Sequence, residues 1–219
     1  MRALGLTTLL VLAACAAPQA GPTAPINPGL AQARANYPPL IIGANTGPAD
    51  GSPPYARSCP PSGSVLEQKG GPTFEYLGAS PQNPDLCRIR VGNDTVEGWY
   101  GIWLTDWPGQ QMAYPSLGRL IRGRTGDIEG FDVRMAPGYE YHDLMRNEGI
   151  EDINLLGRRY HALKLSHYRE GFNGNIYRSV STVWKDLNSG MLIYGTYQHI
   201  SGTPVLDDPI IPTRIATVR

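Results

Sequence analysis

The stretch Arg159–Ser201, RYHALKLSHYREGFNGNIYRSVSTVWKDLNSGMLIYGTYQHIS, reads as three antiparallel strands joined by two short turns. Asn173-Gly174 is the stronger turn signal, because a type I′ hairpin needs positive φ at both central residues and Asn and Gly tolerate it best. With Phe172 and Asn175 flanking that turn, Leu163 is expected opposite Trp184, Leu165 opposite Thr182, His167 opposite Val180 and Arg169 opposite Arg178. A second connection, Leu187-Asn188-Ser189-Gly190, sets Trp184 against Ile193, Thr182 against Gly195, Val180 against Tyr197 and Arg178 against His199. On these registers Leu163, Leu165, Val180, Trp184, Ile193 and Tyr197 share one apolar face. Lys164, Ser166, Tyr168, Ser179, Ser181, Thr196 and Gln198 share the other, with Val183 and Tyr194 as its apolar pair. A slip of one residue would exchange the faces, so the alternation itself selects the register. Three strands with one apolar face need a cover from elsewhere in the chain.

The amino terminus carries an address. Arg2, an apolar run from Leu4 to Val11 and small residues before Cys15 make a secretory signal over residues 1–14, too short to span a bilayer. Leu12-Ala13-Ala14-Cys15 resembles the lipobox of bacterial lipoproteins. That resemblance implies diacylation of the Cys15 thiol, cleavage just before it, and a further acyl chain such as palmitate on the new amino group. Several acyl chains together anchor a protein stably to a membrane. The resemblance thus implies a protein lipid-anchored in the bacterial cell envelope. Ala16, standing where an Asp would hold a lipoprotein in the inner membrane, implies the outer membrane. Residues 15–56 are rich in Pro, Ala and Gly and read as a semi-extended tether, with Leu40-Ile41-Ile42 as its apolar cluster.

Residues 57–204 then form one domain, with 205–219 as a tail or edge strand. Lys plus Arg and Asp plus Glu number 19 each, so no bulk charge draws the chain to nucleic acid. With 26 Gly, 20 Pro and 12 Tyr, short strands and turns are favoured over helices. The expected fold is all-β: an antiparallel, strongly curved sheet, either half-barrel or sandwich, with at most one short helix. Ser64–Gln68, Thr73–Leu77, Leu86–Val91, Val96–Trp103, Leu117–Arg122, Asp127–Met135 and Glu151–Leu156 are strand candidates, and Tyr139–Asn147 is the one plausible helical turn. Cys59 and Cys87 lie 28 residues apart, with no CxxC and no neighbouring His, and in an oxidising compartment pair most simply as a disulfide. Trp99, Tyr100, Trp103 and Trp107 concentrate aromatic area, expected to pack on the meander.

The pattern from Gly149 to Gly202 has a strand, Gly157-Arg158, a long strand, and a hairpin holding Trp184, Asp186 and Gly190. It resembles the C-terminal part of uncharacterised periplasmic β-proteins, some with a LolA-like curved half-barrel, over about a quarter of the chain. That resemblance implies an antiparallel sheet whose apolar concave face holds acyl chains or a partner, and it carries over no functional residue.

Familiar chemistry is missing from the sequence. There is no HExxH, no close Cys/His cluster and no Asp-rich loop for a metal, no GxSxG or SxxK nucleophile signature, and no phosphate loop. No cofactor is expected. One constellation stands out: His167, Arg169, Arg178 and His199, with Trp184 and Tyr197, fall toward the open end of the apolar face, where they would suit an amphipathic anion. The leading expectation is a non-enzymatic binding or structural module that meets the membrane through its acyl chains and engages an envelope partner. A carrier or sensor of an amphipathic anionic lipid or fatty acid is the alternative, and a hydrolase with a site built from dispersed residues is a third.

Overall fold

The computed structural model of the chain describes residues 58–105, 110–136, 139–203 and 209–218. The expected signal segment, the expected tether and Cys15 lie outside the described residues, as does Trp107. The elements are β1 (Val65–Gln68), β2 (Phe74–Ser80), β3 (Asn83–Val91), β4 (Asp94–Trp99), β5 (Trp103–Leu104), α1 (Ala113–Arg122), β6 (Ile128–Ala136), β7 (Tyr139–Leu155), β8 (Arg158–Gly171), β9 (Arg178–Asp186), β10 (Leu192–Ser201) and β11 (Pro212–Ala216). They form two antiparallel sheets. The first, ordered β11-β1-β2-β3-β4-β5, curls strongly into a half-barrel, and the second runs β10-β9-β8-β7-β6. Among the described residues the fold is all-β with a single short α-helix, as expected.

That helix is not where the sequence put it. Residues 117–122, expected as a strand, are the second half of α1. Ala113, Leu117, Leu120 and Ile121 are buried together, the spacing of one helical face. Pro115 is tolerated because it sits in the first turn, where its missing N–H would have no intrahelical partner. Burying Leu117, Leu120 and Ile121 against the second sheet stabilises by about 1.5–3 kcal/mol each.

Conversely, residues 139–147, expected as a helical turn, begin the 17-residue strand β7. Tyr141, Asp143, Met145 and Asn147 are buried in strict alternation, so period two prevails over the helix-compatible composition. Val96–Trp103 is likewise broken into a hairpin. Tyr100 and Gly101 both take positive φ, folding Trp103 back against Trp99.

The meander forms, with its registers moved by one residue. The Asn173-Gly174 turn is present, with φ of 52° and 89° and Asn175 N–H donating to the Phe172 carbonyl at 3.1 Å. The chain then admits one extra residue. Gly171 N–H donates to the Tyr177 carbonyl at 2.7 Å, while the Asn175 side chain accepts from Tyr177 N–H at 3.1 Å. This bulge sets Leu163 opposite Lys185, and Trp184 opposite Lys164. The second turn closes as expected, with Asp186 N–H donating to the Met191 carbonyl at 2.8 Å, but a second bulge between Leu192 and Tyr194 puts Tyr194 opposite Trp184. Every β9 side chain is therefore turned over relative to expectation. The two offsets cancel between β8 and β10, whose residues stay in the expected rows.

As a result the single apolar face expected from the sequence does not exist. Leu163, Leu165 and Ile193 keep one face, Leu163 and Leu165 in the cluster with Trp103, Met145 and α1 and Ile193 in the cluster with Leu66, Tyr76 and Ile89 of the first sheet, whereas Val180 and Trp184 turn to the other. Cys59 and Cys87 form the expected disulfide, and β11 pairs with β1 at the edge of the half-barrel.

Candidate functional site

Residues directly opposed across an antiparallel pair share a face, so the inner face of the second sheet can be listed row by row. One row runs Asn147, Leu165, Val183, Gly195; the next Met145, His167, Ser181, Tyr197; the next Asp143, Arg169, Ser179, His199. Apolar character therefore gives way to polar along the strands. The first sheet stands across from these rows and leaves a cavity of about 410 Å³. Phe74, Ile89, Trp103, Leu104, Val183, Leu192 and Ile210 supply its apolar lining, and His167, Arg169, Ser181 and Tyr197 its polar one.

Asp143 anchors the polar wall. Its carboxylate is fully buried and accepts from Arg169 Nε at 2.7 Å, Arg169 Nη2 at 2.9 Å and His167 Nε2 at 2.8 Å. Burial pushes the Asp143 carboxyl upward, but the charges and hydrogen bonds of Arg169 and His167 outweigh it and hold the group at about 2. An ionised carboxylate only accepts, so the His167 proton sits on Nε2. In the neutral ring Nδ1 is then an acceptor, and it lies 3.3 Å from Ser181 Oγ.

Aromatic rings fix the cluster in place. The Arg169 guanidinium lies 4.7 Å from the Tyr141 ring centroid and 5.5 Å from that of Trp103, and Trp103 meets His167 edge-on at 5.1 Å. The Tyr197 and Tyr177 hydroxyls are 3.0 Å apart. His199 Nε2 donates to the Gly202 carbonyl at 3.0 Å.

Of the residues singled out from the sequence, His167, Arg169, Tyr197 and His199 share the inner face, and the first three line the cavity. Arg178 and Trp184 lie on the opposite face, because the bulge turned β9 over. Arg178 Nε donates to Glu170 at 3.0 Å, and Trp184 Nε1 donates to Glu151 beneath the Lys164 ammonium. The same turn brings Ser181 into the cavity from the polar face on which it was expected. Asp143 was hidden in a segment expected to be helical; the alternation of Tyr141, Asp143, Met145 and Asn147 is the signal that reveals it.

The guanidinium of Arg169 meets a buried countercharge and that of Arg178 another, so the cavity's polar end presents hydroxyl and imidazole groups beside a compensated ion pair. Such a wall suits a neutral polar group better than a bare anion. The chain was compared with family models, curated proteins and solved structures, and none of them matches it.

Proposed function

We propose that this protein is a lipid-anchored envelope protein whose β domain binds a small amphipathic molecule between its two sheets. The lipobox-like Leu12-Ala13-Ala14-Cys15 supports the anchor. The observation that carries the binding role is the cavity of about 410 Å³, which lies within the usual size range of small-molecule sites and pairs an apolar lining with a few convergent polar groups. The ligand is an uncharged amphipath with its apolar part against Phe74, Leu104, Val183 and Ile210. Its ester, amide or hydroxyl head meets His167, Ser181 and Tyr197.

The test is titration of the full chain with the neutral fluorescent probe N-phenyl-1-naphthylamine. Saturable binding at one probe per chain is expected, together with its loss in Val183→Trp, which fills the cavity from β9, at an unchanged cooperative melting transition. Equal binding by the filled variant would refute the cavity as the site.

A further inference from the structure

We propose that Ser181, His167 and Asp143 act as a nucleophilic relay, making the cavity a site of carboxylic ester hydrolysis; the inference rests on the cavity being a ligand site. The three side chains come from three adjacent strands and are linked by contacts of 3.3 Å (Ser181 to His167) and 2.8 Å (His167 to Asp143). The backbone ladder already joins β8 to β9, so these side-chain contacts are not needed to pair the strands. His167 and Ser181 both line the cavity, and a bulge is what turns Ser181 toward it.

The imidazole is used with its nitrogens exchanged relative to the familiar serine-hydrolase arrangement: Nε2 faces the carboxylate and Nδ1 the hydroxyl. Either nitrogen serves as a base once the other is held as N–H, and the buried Asp143 does the holding. In the first step Ser181 Oγ bonds to the ester carbonyl carbon while His167 Nδ1 takes the hydroxyl proton, and the carbonyl electron pair moves to its oxygen. Collapse breaks the bond to the alkoxy oxygen, which leaves as an alcohol with the proton from His167. A water molecule then gives a proton to His167 and attacks the acyl carbon, releasing a carboxylic acid and restoring the Ser181 hydroxyl. Tyr197 is directly opposite Ser181 in register and lines the same cavity, so its hydroxyl, 3.0 Å from that of Tyr177, is the group assigned to donate to the oxyanion.

The experiment treats the full chain with a neutral p-nitrophenyl alkylphosphonate bearing a butyl chain and follows intact mass and peptide maps. One adduct per chain on Ser181 is expected, with none in Ser181→Ala. Labelling slows by about 10²–10⁴-fold in His167→Gln, the range for removing a general base. p-Nitrophenyl butyrate turnover should fall in the same variants. Ser181→Ala removes one hydroxyl, so its melting transition, measured in parallel, is expected to stay near that of the wild type. An adduct on another residue, or undiminished labelling of Ser181→Ala, overturns the relay. So does an unlabelled wild-type chain that still binds N-phenyl-1-naphthylamine, an outcome that leaves the binding role standing.

Discussion

Asp143 shows what a buried charge demands of its neighbours. It has no solvent contact, and three donor atoms from two side chains converge on its oxygens. Its carboxyl is held at about 2, below the ordinary 3.8. A depressed folded-state value contributes stability above the unfolded value and loses it as pH falls from 3.8 toward 2. Asp143→Asn, which leaves Arg169 buried without its countercharge, is expected to cost about 3–5 kcal/mol at neutral pH. Urea unfolding should show that gap narrowing by about 2 kcal/mol between pH 6 and pH 2, since the wild type alone loses this carboxylate. A gap independent of pH would show that Asp143 is not held ionised by the fold. His167, Arg169 and Tyr197 were legible in the sequence as a polar patch at one end of a strand set. Asp143 was not, because its segment was expected as a helical turn, and only a period-two reading of Tyr141, Asp143, Met145 and Asn147 places its carboxylate on the inner face. Ser181 was assigned to the polar face, away from Leu163 and Leu165, by a register wrong by one.

At the scale of elements, the β9–β10 turn is held from beneath by Lys185. Burial lowers its ammonium to about 7, with Asp186 opposing. Its Nζ donates to the carbonyls of Ser58 at 3.0 Å, Tyr100 at 2.7 Å and Gly190. Three acceptors use all three ammonium hydrogens. One side chain therefore ties the disulfide-bearing segment, the β4–β5 turn and the β9–β10 turn together. Lys185→Met would leave three carbonyls unpaired, and a loss of about 3–5 kcal/mol in urea unfolding is the expected result. A loss under 1 kcal/mol would mean that these carbonyls find other partners. The element type was readable wherever turns carried their own chemistry, as at Asn173-Gly174 and Leu187–Gly190. It was misread where packing decides: Ala113, Leu117, Leu120 and Ile121 become a helix because the second sheet needs a cover there. The bulge after Asn175 depends on a side-chain-to-backbone bond that leaves no pattern in the sequence.

For the whole molecule, Cys59–Cys87 fastens the segment ahead of β1 to β3, and β11 closes onto β1 with Arg214 reaching Glu67. The bond spans a sequence separation of 28 residues, which in the chain-entropy model stabilises by roughly 3–4 kcal/mol. Reduction with dithiothreitol should lower the melting temperature accordingly, and Cys59→Ser/Cys87→Ser should melt at the reduced protein's temperature with or without reductant. A reductant effect on the double variant would point to some other target. The two-sheet, all-β plan was legible from Gly, Pro, Tyr and turn spacing. The partition of strands between the sheets was not, because it depends on contacts between distant segments.

The paired bulges flanking β9 also bear on how such a protein can change. Since β8 and β10 keep their mutual rows when both bulges change together, the middle strand behaves like a card held between two fixed ones, free to be dealt either side up. Closing both bulges, so that each adjoining connection takes up one residue fewer, would present Val180 and Trp184 to the cavity and send Ser181 and Lys185 outward, with every amino acid of β9 unaltered. Loop length therefore sets the chemistry of this wall. Related chains would be expected to diverge here by small insertions and deletions before they diverge by substitution.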